Sequence, residues 1–381
     1  MNINLNHTMQ ETMRLMRAGD LHAATLAIQR GLRGEDCMNT NKRTAGFGAS
    51  ARCIEGQYRV ISDSDSPDLH GPAPTQSPGE VPLNEPGGEF RDHRFTCDAG
   101  SMRYKLFIPA GLGAAAPLIV MLHGCTQSPD DFARGTRMNL LAQEHGYVVA
   151  YPAQSKRNNA GRCWNWFRNR DQQRGQGEPA ILAALTRHLV KAHGLDERRV
   201  YVAGLSAGGA MAAVLGCTYP DVYAAIGVHS GLPFGVAHDL PSAFAAMKQG
   251  AGKLTSGVPP GRGGAVRAIV FHGDWDTTVD PCNGAAVVEQ CLGAAVAAGD
   301  AQTGAARTTV EQGVAPGGRR YTRTIFRDAA GGAVAEQWLV HGAGHAWFGG
   351  DASGSYTDSA GPDASDEMLR FFSACARAAI N

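Results

Sequence analysis

The stretch Arg198–Met211, RRVYVAGLSAGGAM, decides the fold. It opens as a run of β-branched and aromatic residues, breaks at Gly204-Leu205-Ser206-Ala207-Gly208, and continues in small helix-forming residues. A strand that turns sharply into a helix through G-x-S-x-G lifts its serine hydroxyl above the end of a sheet, and the flanking glycines permit a turn too tight for side chains. The pattern predicts Ser206 as a nucleophile.

A serine hydroxyl attacks well only when a histidine takes its proton and an acid orients that histidine. In this strand–turn–helix setting the acid comes next along the chain and the histidine last. Phe271–Val279 reads FHGDWDTTV after an apolar run, so its carboxylates fall on a loop at a strand's carboxyl end. Asp274, Asp276 and Asp280 compete there. The HGxxDxxV frame selects Asp276, with Asp280 the alternative and Asp274 shaping the turn. His341–Trp347 reads HGAGHAW, in which Gly342 and Gly344 let the loop swing His345 over the serine. His345 is the expected general base, and His341 reads as a packed core histidine. The tetrahedral intermediate, with its charge on the former carbonyl oxygen, also needs backbone donors, each worth on the order of 2.7–4 kcal/mol by mutagenesis. The expected donors are the Ala207 amide and the Cys125 amide of His123-Gly124-Cys125-Thr126-Gln127, with the Gln127 side chain in support.

Further strands are expected at Arg103–Pro109, Pro117–Gly124, Tyr147–Pro152, Ala224–His229, Val266–Gly273 and Ala335–Val340, with helices at Glu178–His193 and Ala207–Cys217. Short apolar strands separated by helices predict an α/β protein with a mostly parallel central sheet covered on both faces, its ligands bound at the carboxyl ends of the strands. This catalytic unit is read as 95–381. Residues 34–94 read as a Pro/Ser/Gly-rich linker, since six of the 19 prolines fall between Pro67 and Pro86 and no apolar period survives. Residues 1–33 read as a small helical hairpin, with Met9, Met13 and Met16 on one face and Leu21, Ala24, Ile28 and Leu32 on the next. It is expected to dock on the main domain or attach to a granule surface.

Lys plus Arg equals Asp plus Glu at 35 each, so no basic excess favours nucleic acid. The apolar runs are far shorter than a membrane span requires, and no transmembrane segment is expected. The first 20 residues lack the pattern of a secretory signal, which predicts a cytoplasmic protein; the nine cysteines lean toward the extracellular alternative. No CxxC pair or Cys/His zinc spacing occurs, and the proposed chemistry needs only water and side chains, so no metal or organic cofactor is implied.

LHGCTQ, CWNWF (Cys163–Phe167), GLSAGGAM, HGDWDTTVDP, GHAW and GSYTDSAGPDAS together resemble the polyhydroxybutyrate depolymerase family of α/β-hydrolase esterases, over about residues 95–378. The resemblance implies an α/β-hydrolase fold and hydrolysis of polyester or small esters by a Ser–Asp–His triad at Ser206, Asp276 and His345, with oxyanion donors at Cys125 and Ala207. It also implies a disulfide between Cys125 and Cys163, and it points toward intracellular members acting on stored granules. Trp164, Trp166, Trp275 and Trp347 lie within a few residues of the motifs and are expected to line a substrate groove with Gln127. The expected function is serine carboxylic-ester hydrolysis of poly(3-hydroxybutyrate) or its oligomers. The alternatives are a feruloyl or acetylxylan-type esterase and, in another class, a non-catalytic granule-binding protein.

Overall fold

Alternate residues of the central strands enter opposite cores, as a strand's period of two requires. In β3 (Leu118–Leu122), Leu118, Val120 and Leu122 join one core while Ile119 and Met121 join the other. In β5 (Val200–Leu205) Val202 faces the first core and Tyr201 the second, and in β7 (Arg267–Gly273) Val270 and Phe271 divide the same way. Strands buried on both sides leave no polar face, which is why they read as continuous apolar runs.

The computed structural model describes residues 87–250, 266–297 and 308–377; the hairpin read over 1–33 and most of the linker read over 34–94 lie outside them. Ten strands form one sheet in the order β1-β2-β4-β3-β5-β6-β7-β10-β9-β8. The remaining strands are β1 (Glu89–Cys97), β2 (Gly100–Ile108), β4 (Val148–Ala153), β6 (Ala225–His229), β8 (Thr308–Val314), β9 (Arg320–Arg327) and β10 (Ala333–Val340). From β4 through β10 every neighbouring pair is parallel; β1, β2, β9 and β8 add antiparallel wings. A short parallel pair, β11 (Trp347–Phe348) with β12 (Thr357–Asp358), stands apart.

Helices cover both faces. α3 (Gly177–His193), α4 (Ala207–Thr218), α5 (Leu240–Gln249) and α6 (Cys282–Ala297) pack into the first core, whereas α1 (Pro129–Thr136), α2 (Met138–His145) and α7 (Ala364–Ser373) pack into the second. α4 is buried along nearly its whole length, which its run of alanine and glycine allows. Among the described residues no helix is long and apolar enough to cross a membrane.

The sheet begins earlier than the sequence boundary at 95. β1 starts at Glu89, inside the stretch read as linker, because an edge strand needs only one partner. EFRDHRFTC is mostly exposed and shows no apolar period, yet all nine residues pair with β2. β8, the opposite edge strand, escaped the reading for the same reason, being exposed along almost its entire length.

α7 is held by an aromatic contact. The Phe372 and Tyr201 rings stack at 4.7 Å and 3°, and Tyr201 Oη donates to the Cys375 carbonyl at 2.6 Å. Phe372 is fully buried. Phe372→Ala should therefore lower unfolding free energy by about 3–5 kcal/mol, whereas Leu140→Ala on the exposed side of α2 should stay within about 0.5 kcal/mol of the parent. Urea unfolding of both variants checks the contrast.

Candidate active site

Ser206 occupies the turn between β5 and α4 with φ 57° and ψ −118°, outside the regions that side-chain-bearing residues favour. The turn is that tight because two backbones touch. A Cβ on Gly208 would stand 2.0 Å from the Leu122 carbonyl oxygen, and one on Gly204 would stand 2.4 Å from the Gly208 carbonyl carbon. The serine turn thus rests directly against the end of β3, where the loop His123–Gln127 begins. The Ser206 amide donates to the His229 carbonyl at 2.8 Å, tying the turn to the neighbouring strand β6. Among the described residues, the Ala207 and Cys125 N–H groups have no acceptor. At Ala207 this follows from its place in the first turn of a helix, where amides lack intrahelical partners.

Asp276 follows β7 and His345 follows β10, so both leave the same carboxyl edge of the sheet as Ser206. They meet: His345 Nδ1–H donates to Asp276 Oδ2 at 2.7 Å. The other carboxylate oxygen accepts the Thr278 and Val279 amides at 2.8 and 2.9 Å, and His272 Nε2 lies 3.4 Å from Oδ2. Burial alone would raise this carboxyl, but hydrogen bonds from His272 and His345, the charge of His345 and the Val279 amide hold it well below the ordinary carboxylate range. An ionised Asp276 on Nδ1 leaves His345 Nε2 as the nitrogen able to take a proton.

Residues 102–313 match the model of the Esterase PHB depolymerase family. The chain belongs to that family. It is 34% identical over 259 residues to poly(3-hydroxyalkanoate) depolymerase C of Paucimonas lemoignei, a match over 66% of this chain and 60% of that protein. It is 33% identical over 139 residues to feruloyl esterase B of Thermothelomyces thermophilus, covering 36% of this chain and 47% of that one. The chain therefore spans less than two thirds of the length of these curated relatives. The solved acetyl xylan esterase from Aspergillus awamori superposes with a TM-score of 0.56 at 20% identity, over 75% of this chain and 100% of that one, which shows the α/β-hydrolase fold. By type, the PHB depolymerase esterases are carboxylic-ester hydrolases.

Against this family frame, several expected site residues take other places. Trp164, Trp166 and Trp347 are buried at 0, 6 and 1% exposure and present no face to a substrate. Trp164 donates its indole N–H to the His123 carbonyl at 3.0 Å, and Trp347 donates to Ser365 Oγ at 3.1 Å, so both brace the site from behind. Trp275 alone of the four is exposed, at 73%. Gln127 is likewise no substrate contact: its Oε1 accepts the Gly124 amide at 2.8 Å, and its Nε2 donates to Asp131 and the Ser355 carbonyl. It shapes the loop His123–Gln127 instead. His341 is not a core histidine but a half-exposed one, bonded through Nδ1 to Asp274 at 2.8 Å and through Nε2 to Thr322 at 2.9 Å. Asp274 also accepts the Gly342 amide at 2.7 Å, and Asp280 accepts the Cys282 amide at 3.0 Å where α6 begins. Cys125 is bonded to Cys163, while Cys97, Cys217, Cys291 and Cys375 form no disulfide among the described residues.

The sequence reading missed the polar network behind that disulfide. Glu178, buried in the first turn of α3, accepts the Asn165 amide at 2.8 Å and the Asn165 and Gln154 side-chain amides at 2.5 Å each. Gln154 Nε2 also reaches the Cys163 carbonyl, and the Gln154 amide donates to His123 Nε2. The signal was Asn165 inside CWNWF, a polar residue between two tryptophans. Burial pushes Glu178 up to about 7, with Asp171 adding to it against the Asn165 amide, and burial pushes His123 down to about 4.

These two groups act oppositely on stability. The folded state holds the Glu178 proton that the unfolded chain releases, so stability falls as pH rises from about 4.5 to about 7; neutral His123 makes it rise from about 4 to about 6.5. Glu178→Gln, neutral at every pH, removes the first contribution only. The stability of the variant relative to the parent should then rise by on the order of 3 kcal/mol between pH 4.5 and 7.5. Urea unfolding across that range tests it, and a flat difference would contradict the burial argument.

Proposed function

We propose that the chain hydrolyses carboxylic esters through an acyl-enzyme on Ser206, with poly(3-hydroxybutyrate) or its oligomers as substrate. One observation carries the reading: a buried, ionised Asp276 bonded to His345 at the edge of the sheet from which the Ser206 turn projects. His345 Nε2 takes the Ser206 proton as Oγ attacks the ester carbonyl carbon. The resulting oxyanion lies between the Cys125 and Ala207 amides, whose unpaired N–H groups suit it. The intermediate collapses, the ester C–O bond breaks, and His345 protonates the departing alcohol. A water molecule repeats the sequence, releasing the acid and restoring the serine.

Polyester as substrate is supported by the similarity to the Paucimonas depolymerase and by two exposed rings, Trp275 at 73% and Tyr356 at 48%. Tyr356 Oη lies 3.4 Å from Thr126 Oγ1, beside the oxyanion loop, while the Trp275 amide donates to the Ala343 carbonyl beside His345. An apolar polyester can lie between them. Feruloyl or acetylxylan esters are the second reading, favoured by the similarity to those esterases. Residues 1–33 are proposed as a granule-attaching segment, joined by a linker to the catalytic unit, in a cytoplasmic protein. The Cys125–Cys163 bond favours the extracellular alternative, since disulfides persist in oxidising compartments.

Ser206→Ala should reduce hydrolysis of p-nitrophenyl butyrate to a trace with an unchanged melting temperature, and activity within about tenfold of the parent would refute the assignment. Asp276→Asn should cost on the order of 10⁴ in turnover, and Asp280→Asn, which only loosens the start of α6, far less. A reversal of those two effects would make Asp280 the orienting acid.

Turnover of amorphous poly(3-hydroxybutyrate), methyl ferulate and acetylated xylan by the full chain, with co-sedimentation on polymer, separates the substrate readings. We expect the polymer to be cleaved fastest. Preference for either of the other two esters would replace the depolymerase reading with the esterase one.

A further inference from the structure

The loop His341–Phe348 carries His345 just after Gly342 and Gly344, and its start is well fixed. Asp274 accepts the Gly342 amide at 2.7 Å, and Arg319 donates to the Gly342 carbonyl at 2.6 Å. Its far end pairs with β12, rests on Ser365 through Trp347, and meets one buried imidazole. His229, the last residue of β6, is fully buried, and its Nε2 lies 3.1 Å from the Phe348 amide nitrogen. An amide N–H can only donate, so Nε2 bears a lone pair and the ring proton sits on Nδ1, 3.3 Å from Ser230 Oγ. The ring is stacked against Trp347 at 4.9 Å and Phe271 at 5.6 Å, with the Phe348 edge at 4.4 Å.

The same residue also reaches the nucleophile, because its carbonyl accepts the Ser206 amide at 2.8 Å. We propose that His229 is a positioning residue: through its backbone it holds the Ser206 turn and through its ring it holds the end of the His345 loop, so that serine and histidine are referenced to one rigid point. The inference rests on the assignment of Ser206 and His345 made above. Burial, with His272 and His345 nearby, keeps the imidazole well below the ordinary histidine range, so its acceptor is not lost to protonation near neutral pH. Without that acceptor the Phe348 N–H is buried and unpaired, and the far end of the loop is left to the Trp347–Ser365 bond and the short β11–β12 pairing. Mis-aiming His345 slows proton transfer and leaves ester binding alone.

Three variants separate aim from packing. His229→Phe keeps a planar ring in the aromatic stack but offers no acceptor. His229→Gln offers an amide oxygen near the Nε2 position. His229→Asn offers one too short to reach. With p-nitrophenyl butyrate and the full chain, His229→Phe and His229→Asn should each lower kcat by roughly 30- to 100-fold with KM within about threefold, and His229→Gln should recover to within about fivefold of the parent. Melting temperatures and circular dichroism identify the folded variants; if His229→Phe does not fold, His229→Asn against His229→Gln carries the comparison. A folded His229→Phe or His229→Asn with kcat within about threefold of the parent would overturn the proposal, as would equal losses in His229→Gln and the other two, which indicate packing alone. Parent and Ser206→Ala are run beside them. Equal hydrolysis by those two overturns the site assignment together with this inference, whereas a Ser206-dependent parent with unimpaired His229 variants overturns the positioning role alone.

Discussion

The contact between Gly208 and the end of β3 is backbone against backbone, with no room for one methyl group. That closeness forces the left-handed Ser206 conformation and brings the Ala207 amide beside the loop that contains Cys125. It also fixes which strands can be neighbours, since β3 and β5 must pair in register from Leu118↔Val200 to Leu122↔Gly204 for the glycines to meet the carbonyls. Strain at the serine is sustained because both sides are clamped, by the β3–β5 ladder and by the Ser206–His229 hydrogen bond. A loop with this geometry but without buried strands beside it would relax.

Much of this was legible in the sequence, for physical reasons that differ by element. The central strands announce themselves because burial on two faces demands unbroken apolar runs, and the G-x-S-x-G turn follows because glycine alone fits its contacts. Asp276 and His345, chosen from their loop frames, lie in hydrogen-bond contact, since a parallel sheet delivers every post-strand loop to one edge. The polar edge strands β1 and β8 left no such trace. Nor could proximity along the chain show which way a ring points: Trp164 and Trp347 adjoin the motifs yet turn inward to brace backbone and serine, while Trp275, next to Asp276, turns out. His341 was misread because a strand-end histidine looks alike whether it packs or pairs with a carboxylate one loop away.

Charge is handled differently on the two sides of the site. Asp276 is stabilised as an anion by four nearby donors on His345, His272, Thr278 and Val279. Glu178, also buried, has amides around it but an acidic neighbour in Asp171, and so holds its proton into the neutral range. One carboxyl is held as an anion against His345; the other acts as a neutral brace for Cys163, Asn165 and Gln154. Burial is common to both, and the sign of the outcome comes from the partners.

The Cys125–Cys163 bond closes a ring of chain with a sequence separation of 38 that contains the whole of α1, α2 and β4. In the chain-entropy picture a closure of that length removes roughly 4 kcal/mol of disorder from the unfolded ensemble. The bond therefore acts before the fold exists. An unfolded chain that retains it already has the end of β3 near the segment that will back the His123–Gln127 loop, and β4 enters the sheet as part of a tethered ring. The sulfur bridge shortens the conformational search as well as bracing the finished loop, so its loss would alter how the sheet assembles as well as how the loop stands.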